Sequence, residues 1–102
     1  MDSVLDLIST RTEQNEYGVM KEIHNSRTVF CEVRSITRSE FFDAGRNGMN
    51  PSLEFLVFAG DYEGESIVEY EGKRYAIYRT YIVPGTDYIE LYAERQGGRN
   101  GA

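Results

Sequence analysis

VFCEVRSITRSEFFDAGRNG, residues 29–48, is the stretch whose reading decides the fold. It opens as a strand. Val29, Cys31 and Val33 alternate with Phe30, Glu32 and Arg34, the period of two that gives a strand two unlike faces. The pattern changes at Thr37. Thr37-Arg38-Ser39-Glu40 has the spacing of a capping box, in which the Thr hydroxyl accepts from the third N–H and the Glu reaches back to the Thr N–H. Phe41, Phe42 and Ala44 continue on a helical register, and Gly48 supplies the residue that ends a helix in the left-handed region. One strand therefore feeds one short inserted α-helix, at about 37–47, and every other candidate element along the chain reads as a strand. A single helix inserted into a β chain is a place where function is often carried.

Working outward, Val4 to Ser9 reads as a first strand with apolar residues on both faces. Arg11 to Glu16 is polar and loop-like, and Val19 to His24 reads as a returning strand. Asn25-Ser26-Arg27 breaks it before Thr28 to Arg34. After the helix, Pro51 disfavours helix at Asn50. Leu53 to Ala59 carries apolar residues on both faces, as a central or doubly covered strand does. Gly60 to Glu65 is acidic and short of apolar anchors, and is expected to be mobile. Ile67 to Tyr70 and Lys73 to Val83 form a hairpin around Glu71-Gly72. Tyr75, Ile77, Tyr81 and Val83 share one parity of its long strand. After the turn at Pro84 to Asp87, Ile89, Leu91 and Ala93 point inward, with Tyr88, Glu90, Tyr92 and Glu94 outward. The chain reads as one β unit over 1–95, with a flexible tail at 96–102 that holds three glycines in seven residues. Six to seven short strands at this spacing suggest a small barrel or sandwich.

Composition excludes more than it selects. The 102 residues suffice for one domain. The net charge of −6 and pI near 4.7 oppose a general nucleic-acid binder, which is basic. One Cys allows no internal disulfide and no Cys-based zinc site, and fits a reducing compartment. One His allows no two-His metal site. The polar opening Met1-Asp2-Ser3 does not read as a signal peptide, and no apolar run reaches the ~18 residues of a membrane span. Cys31 reads as a buried, inert thiol rather than the partner of His24. GxGxxG and GxxxxGK[ST] are both absent, and no carboxylates fall in a recognisable acid/base spacing. Catalysis, cofactor and metal are accordingly not expected. Tyr75 and Tyr81 fit a barrel core or an interface better than a base-stacking platform.

Charge is segregated. Glu54, Asp61, Glu63, Glu65, Glu69 and Glu71 fall between Met49 and Gly72 with no Lys or Arg among them, so this window alone carries −6. Arg34, Arg38 and Arg46 lie around the helix. A solvated acidic rim is one reading. The other is complementarity, the acidic edge of one copy meeting the basic helix region of a neighbour, as head-to-tail assembly requires. Phe41 and Phe42 project about 100° apart on a helix, so one is expected to pack on the barrel and the other to reach a partner. The candidate interface residues are thus Arg34, Arg38, Phe41, Phe42, Arg46, Asp61, Glu63 and Glu65.

The run from Val29 to Phe42 resembles the central motif of tailed-phage head–tail joining proteins, the head-closure or stopper family: an aromatic–small–x–Val segment, a polar turn, then an E-F-[FY]-x-A helix. Val68-Glu69-Tyr70-Glu71-Gly72-Lys73-Arg74-Tyr75-Ala76-Ile77 resembles that family's second signature, a V-x-Y-x-G-[KR]-x-Y-x-I hairpin. Ile89 to Glu94 is similar to its last strand, and the resemblance spans almost the whole chain from Asp6 onward. The acidic stretch from Gly60 to Glu65 departs from the pattern. The resemblance implies a small closed β-barrel with an inserted helix, a structural virion protein without bond chemistry. Such proteins assemble as a ring, usually dodecameric, below the portal and adaptor, made first in the host cytoplasm. The ring closes the DNA channel without binding DNA specifically, and docks the tail; no membrane is involved. The competing readings are another neck component, an adaptor or tail-completion protein, or a cellular OB- or SH3-like binding module.

Overall fold

The computed structural model describes residues 1–96. It contains six strands: β1 (Ser3–Gln14), β2 (Met20–Ser35), β3 (Pro51–Phe58), β4 (Ile67–Tyr70), β5 (Lys73–Ile82) and β6 (Tyr88–Arg95). They close into an antiparallel barrel in the order β1-β2-β3-β6-β5-β4, with β4 pairing back to β1 over Asp6–Ile8. The helix α1 (Arg38–Gly45) is inserted between β2 and β3, and a 3-10 turn (Ala59–Asp61) follows β3. The small closed barrel with one short helix is therefore what the chain forms, with six strands and a helix slightly shorter than 37–47. The expected tail falls, from residue 97 on, outside the described residues.

Alternation builds the core. Leu5, Leu7, Val29, Cys31, Phe55, Val57, Val68, Tyr75, Ile89, Leu91 and Ala93 form one buried cluster, each on the inward parity of its strand. Phe55 anchors it, with the rings of Tyr70 and Tyr75 meeting its own edge-on at 5.5 and 5.7 Å. Such pairs add about 0.5–1.5 kcal/mol each beyond burial. At the β4–β5 hairpin Glu71 and Gly72 have φ of 51° and 77°, the left-handed pair that a two-residue type I′ turn requires.

Three expectations change. β1 continues to Gln14 and β2 runs unbroken from Met20 through Asn25-Ser26-Arg27, so two expected strands are one. Beyond Ile8 and Ser26 the pair has no third neighbour: six further residue pairs, Ser9↔Asn25 to Gln14↔Met20, form a ribbon projecting from the barrel. Solvent lies on both of its faces, so the sequence there carries no apolar period to read. In β5 the register slips between Ile77 and Arg79. Tyr78 is the extra residue of a β-bulge, which turns Tyr81 out of the core and leaves it exposed. On β6, Tyr92 points outward yet is buried, because Arg79 stacks over its ring at 4.0 Å.

Candidate functional site

The helix is set by its caps and by one ionic anchor. Thr37 Oγ1 accepts from the Glu40 N–H at 3.1 Å, half of the expected capping box. Glu40 does not close the other half. Its carboxylate accepts instead from the Tyr78 hydroxyl at 2.7 Å and from Arg79 Nη2. The bulge is what places two consecutive β5 side chains within reach of one carboxylate. Burial and the Glu40 bond raise the Tyr78 pKa, so this phenol donates at all ordinary pH. At the other end the Met49 N–H reaches the Ala44 carbonyl and the Gly48 N–H the Gly45 carbonyl, at 3.0 and 3.1 Å. That is a Schellman stop, with Gly48 at φ +83° as the sequence indicates.

Anchored in this way, the helix turns Glu40, Asp43, Ala44 and Asn47 toward Met49, Tyr78 and Arg79, around a cavity of about 460 Å³. The opposite stripe, Arg38, Phe41, Phe42 and Arg46 at spacings of three and four, faces away. Both phenylalanines are exposed, at 48% and 60%. Neither packs into the barrel, contrary to the expectation that one would; Ala44 is the helix residue that is buried. The two rings meet each other edge-on at 5.9 Å. Arg46 pairs with Asp43 within the helix, and Arg38 makes no ion pair among the described residues.

The other expected interface residues go elsewhere. Arg34 lies on the outer face of β2, where its guanidinium meets Glu32 at 3.1 Å, Glu54 at 3.4 Å and Glu90 at 3.5 Å. Glu54 is buried there, and burial and the neighbouring Glu90 raise its pKa against the lowering effect of Arg34. Glu65 is not an exposed rim charge. It is buried, and accepts from Arg27 Nη2 at 2.6 Å and from the Glu63 N–H at 2.9 Å. Arg27 also donates to the Asp61 carbonyl, and Tyr62, half-buried against the core, donates its hydroxyl to the Glu65 carbonyl. The acidic loop is thus pinned to the end of the barrel. Of its three carboxylates, Glu65 is spent internally, while among the described residues no ion pair holds Asp61 or Glu63. Sequence reading missed the anchor because Arg27 lies 38 residues upstream, in a segment read as a break.

A second exposed surface was not singled out from the sequence. Val4 pairs with Phe30, and Phe58 with Tyr88. The β2–β3 pairing ends at Cys31–Val57, and Phe30 and Phe58 are the next residue beyond it on their strands, both on the outward parity. These four outward residues form a row across β1, β2, β3 and β6, with Phe30 66% and Phe58 46% exposed. Phe58 lies over Gly60 and meets Tyr88 edge-on at 6.5 Å. Their signal is legible in retrospect: on each strand an aromatic or β-branched residue occupies the polar parity. No family model matches the chain, and comparison with curated proteins finds no match either. Among the described residues, no cluster of three or more His, Cys, Asp or Glu is arranged to hold a metal ion, and no helix is long and apolar enough to cross a membrane.

Proposed function

We propose that this chain is a structural protein of the tailed-phage head–tail connector, assembling as a ring below the portal and adaptor that closes the DNA channel and docks the tail. One observation carries the reading: a small barrel presents two separate aromatic surfaces to solvent, the helix pair Phe41–Phe42 and the row Val4–Phe30–Phe58–Tyr88. Exposed aromatics grouped in this way mark contact surfaces rather than scattered surface residues. A subunit that touches neighbours on two sides needs two such patches. The likeness of residues 29–42 and 68–77 to the joining-protein motifs points to the same particle. The net charge of −6 suits a channel wall that lets DNA pass without holding it.

Sedimentation of the purified chain with and without a portal–adaptor complex tests the reading. The expected result is a monomer or weak oligomer alone and a ring on the complex, with no duplex binding at moderate salt. A chain that ignores the portal–adaptor complex, or grips DNA tightly in a salt-dependent manner, overturns it.

A further inference from the structure

We infer that the two aromatic surfaces are the two halves of one contact: the helix stripe of one copy docks on the sheet row of the next. The inference rests on the connector reading and names the interface that reading requires. The helix stripe offers Phe41 and Phe42 together with Arg38, which lacks an ion-pair partner among the described residues, and Arg46, whose exposed bond to Asp43 is weak and exchangeable. The sheet row is aromatic, and next to it on the same outer face the nearly buried Glu54 and Glu90 and the exposed Glu32 surround the single guanidinium of Arg34, which leaves Glu32 as the carboxylate a neighbour can reach. One surface therefore has cation to spare and the other has anion to spare. Both are apolar at the centre and charged at the rim, the anatomy of protein interfaces. An arginine set beside Phe30 or Tyr88 gains a ring face as well as a carboxylate. Neither surface complements itself in charge, so like-on-like pairing is disfavoured. Two unlike patches make a heterologous contact, which closes into a ring when the rotation between copies divides the circle.

Cysteine trapping tests this directly, because a disulfide captures weak encounters and the native Cys31 is wholly buried. Phe41→Cys and Phe58→Cys chains, mixed under mild oxidation, are expected to give a mixed dimer as the main product. Arg38→Glu on the first chain should lower the yield several-fold, and Glu32→Arg on the second should restore it. The double variant, Phe41→Cys with Phe58→Cys in one chain, should give a ladder of products beyond the dimer. Tyr17→Cys, on the exposed turn of the ribbon, is the control for random collision and should not pair with Phe41→Cys. Dominant homodimers of either single variant, which mean helix on helix or sheet on sheet, overturn the proposal. A double variant that stops at a dimer does so too. A ring that forms on the portal–adaptor complex without the mixed cross-link overturns this docking and leaves the connector reading standing. Loss of both the cross-link and the ring removes the two together.

Discussion

Arg27 on β2 and Glu65 in the β3–β4 loop, 38 residues apart, meet at 2.6 Å and pin that loop to the barrel end. The Glu65 side chain is almost fully buried while that of Arg27 is 38% exposed, so the pair keeps some solvent screening and lies below the buried-pair range. Glu65→Ala is expected to lower stability by about 2–3 kcal/mol, the scale of a lost charge-assisted hydrogen bond with its partner left behind. Urea unfolding measures it. A change within ±0.5 kcal/mol would show that the loop is not held by this pair.

The two buried glutamates respond to pH in opposite directions. Burial pushes the Glu65 carboxyl up, but the Arg27 bond and the Glu63 N–H outweigh it, and its pKa falls below the ordinary 4.5. A lowered folded pKa contributes stability that is present above the unfolded value and is lost as pH falls through the folded one. The gap between the native chain and Glu65→Gln should therefore be full at pH 7 and shrink below about pH 4.5. Glu54 is raised by burial and by Glu90. Its contribution is full below the unfolded value and is lost as pH rises through the folded one. Glu54→Gln should then raise neutral-pH stability by about 1 kcal/mol, since a neutral amide avoids a buried charge and Arg34 keeps Glu32 and Glu90. Thermal melts of both variants across pH 3–8 check the pair of signs; a destabilised Glu54→Gln at pH 7 contradicts the second.

The barrel was readable because its inward positions alternate cleanly. Cys31 between Val29 and Val33, and Leu91 between Ile89 and Ala93, leave little choice of face. The helix was readable from its ends, Thr37 and Gly48, and not from an apolar stripe, because its phenylalanines face water. What escaped was whatever depends on a distant partner or a register slip. No local pattern announces that Glu40 will prefer Tyr78 and Arg79 to its own cap, or that a bulge at Tyr78 will turn Tyr81 out. The acidic window looked like one surface on composition alone. In three dimensions Glu54, Glu65 and Glu69 each answer an arginine, so half of it is structural.

Phe41 and Phe42 should separate stability from assembly. Neither ring is buried, so Ala at either position is expected to change unfolding free energy by less than about 0.5 kcal/mol, the usual range for surface sites. On the connector function proposed above, both changes should weaken ring formation on a portal–adaptor complex. A loss of several kcal/mol at either site, the cost of truncating a core aromatic, would show that the ring packs against the barrel after all.

Cys31 should be silent until the barrel opens. It is fully buried, and burial pushes its thiol pKa up to about 11, so the reactive thiolate is scarce at neutral pH. An aromatic disulfide reagent is expected to leave the folded protein untouched and to titrate one thiol in denaturant. Rapid labelling of the native chain would place the residue at an opening rather than in the core.

The ribbon formed by Ser9–Gln14 and Met20–Asn25 should be the softest ordered part of the chain. Every barrel strand has a neighbour on both sides, whereas this pair has only itself over six residue pairs, about 20 Å at 3.3 Å per residue. Two-stranded ribbons are marginal in water because little apolar surface is removed from it. Here only Ser9 at its base and Ile23 are even half-buried, and Tyr17, Val19 and Met20 at the tip are exposed. Asn15 holds the turn by accepting from the Tyr17 and Val19 N–H groups at 2.9 and 3.0 Å. That keeps the ribbon formed without making it resistant to opening. The charged side chains along it, Arg11, Glu13, Lys21 and Glu22, discourage stray edge pairing. Its amides should exchange at least ~100-fold faster than those of Val57 or Leu91, a difference of about 3 kcal/mol in opening free energy. Protection equal to the barrel core in the isolated chain would mean that the ribbon is covered, either by the chain itself or by a second copy, and a dilution series separates those two cases.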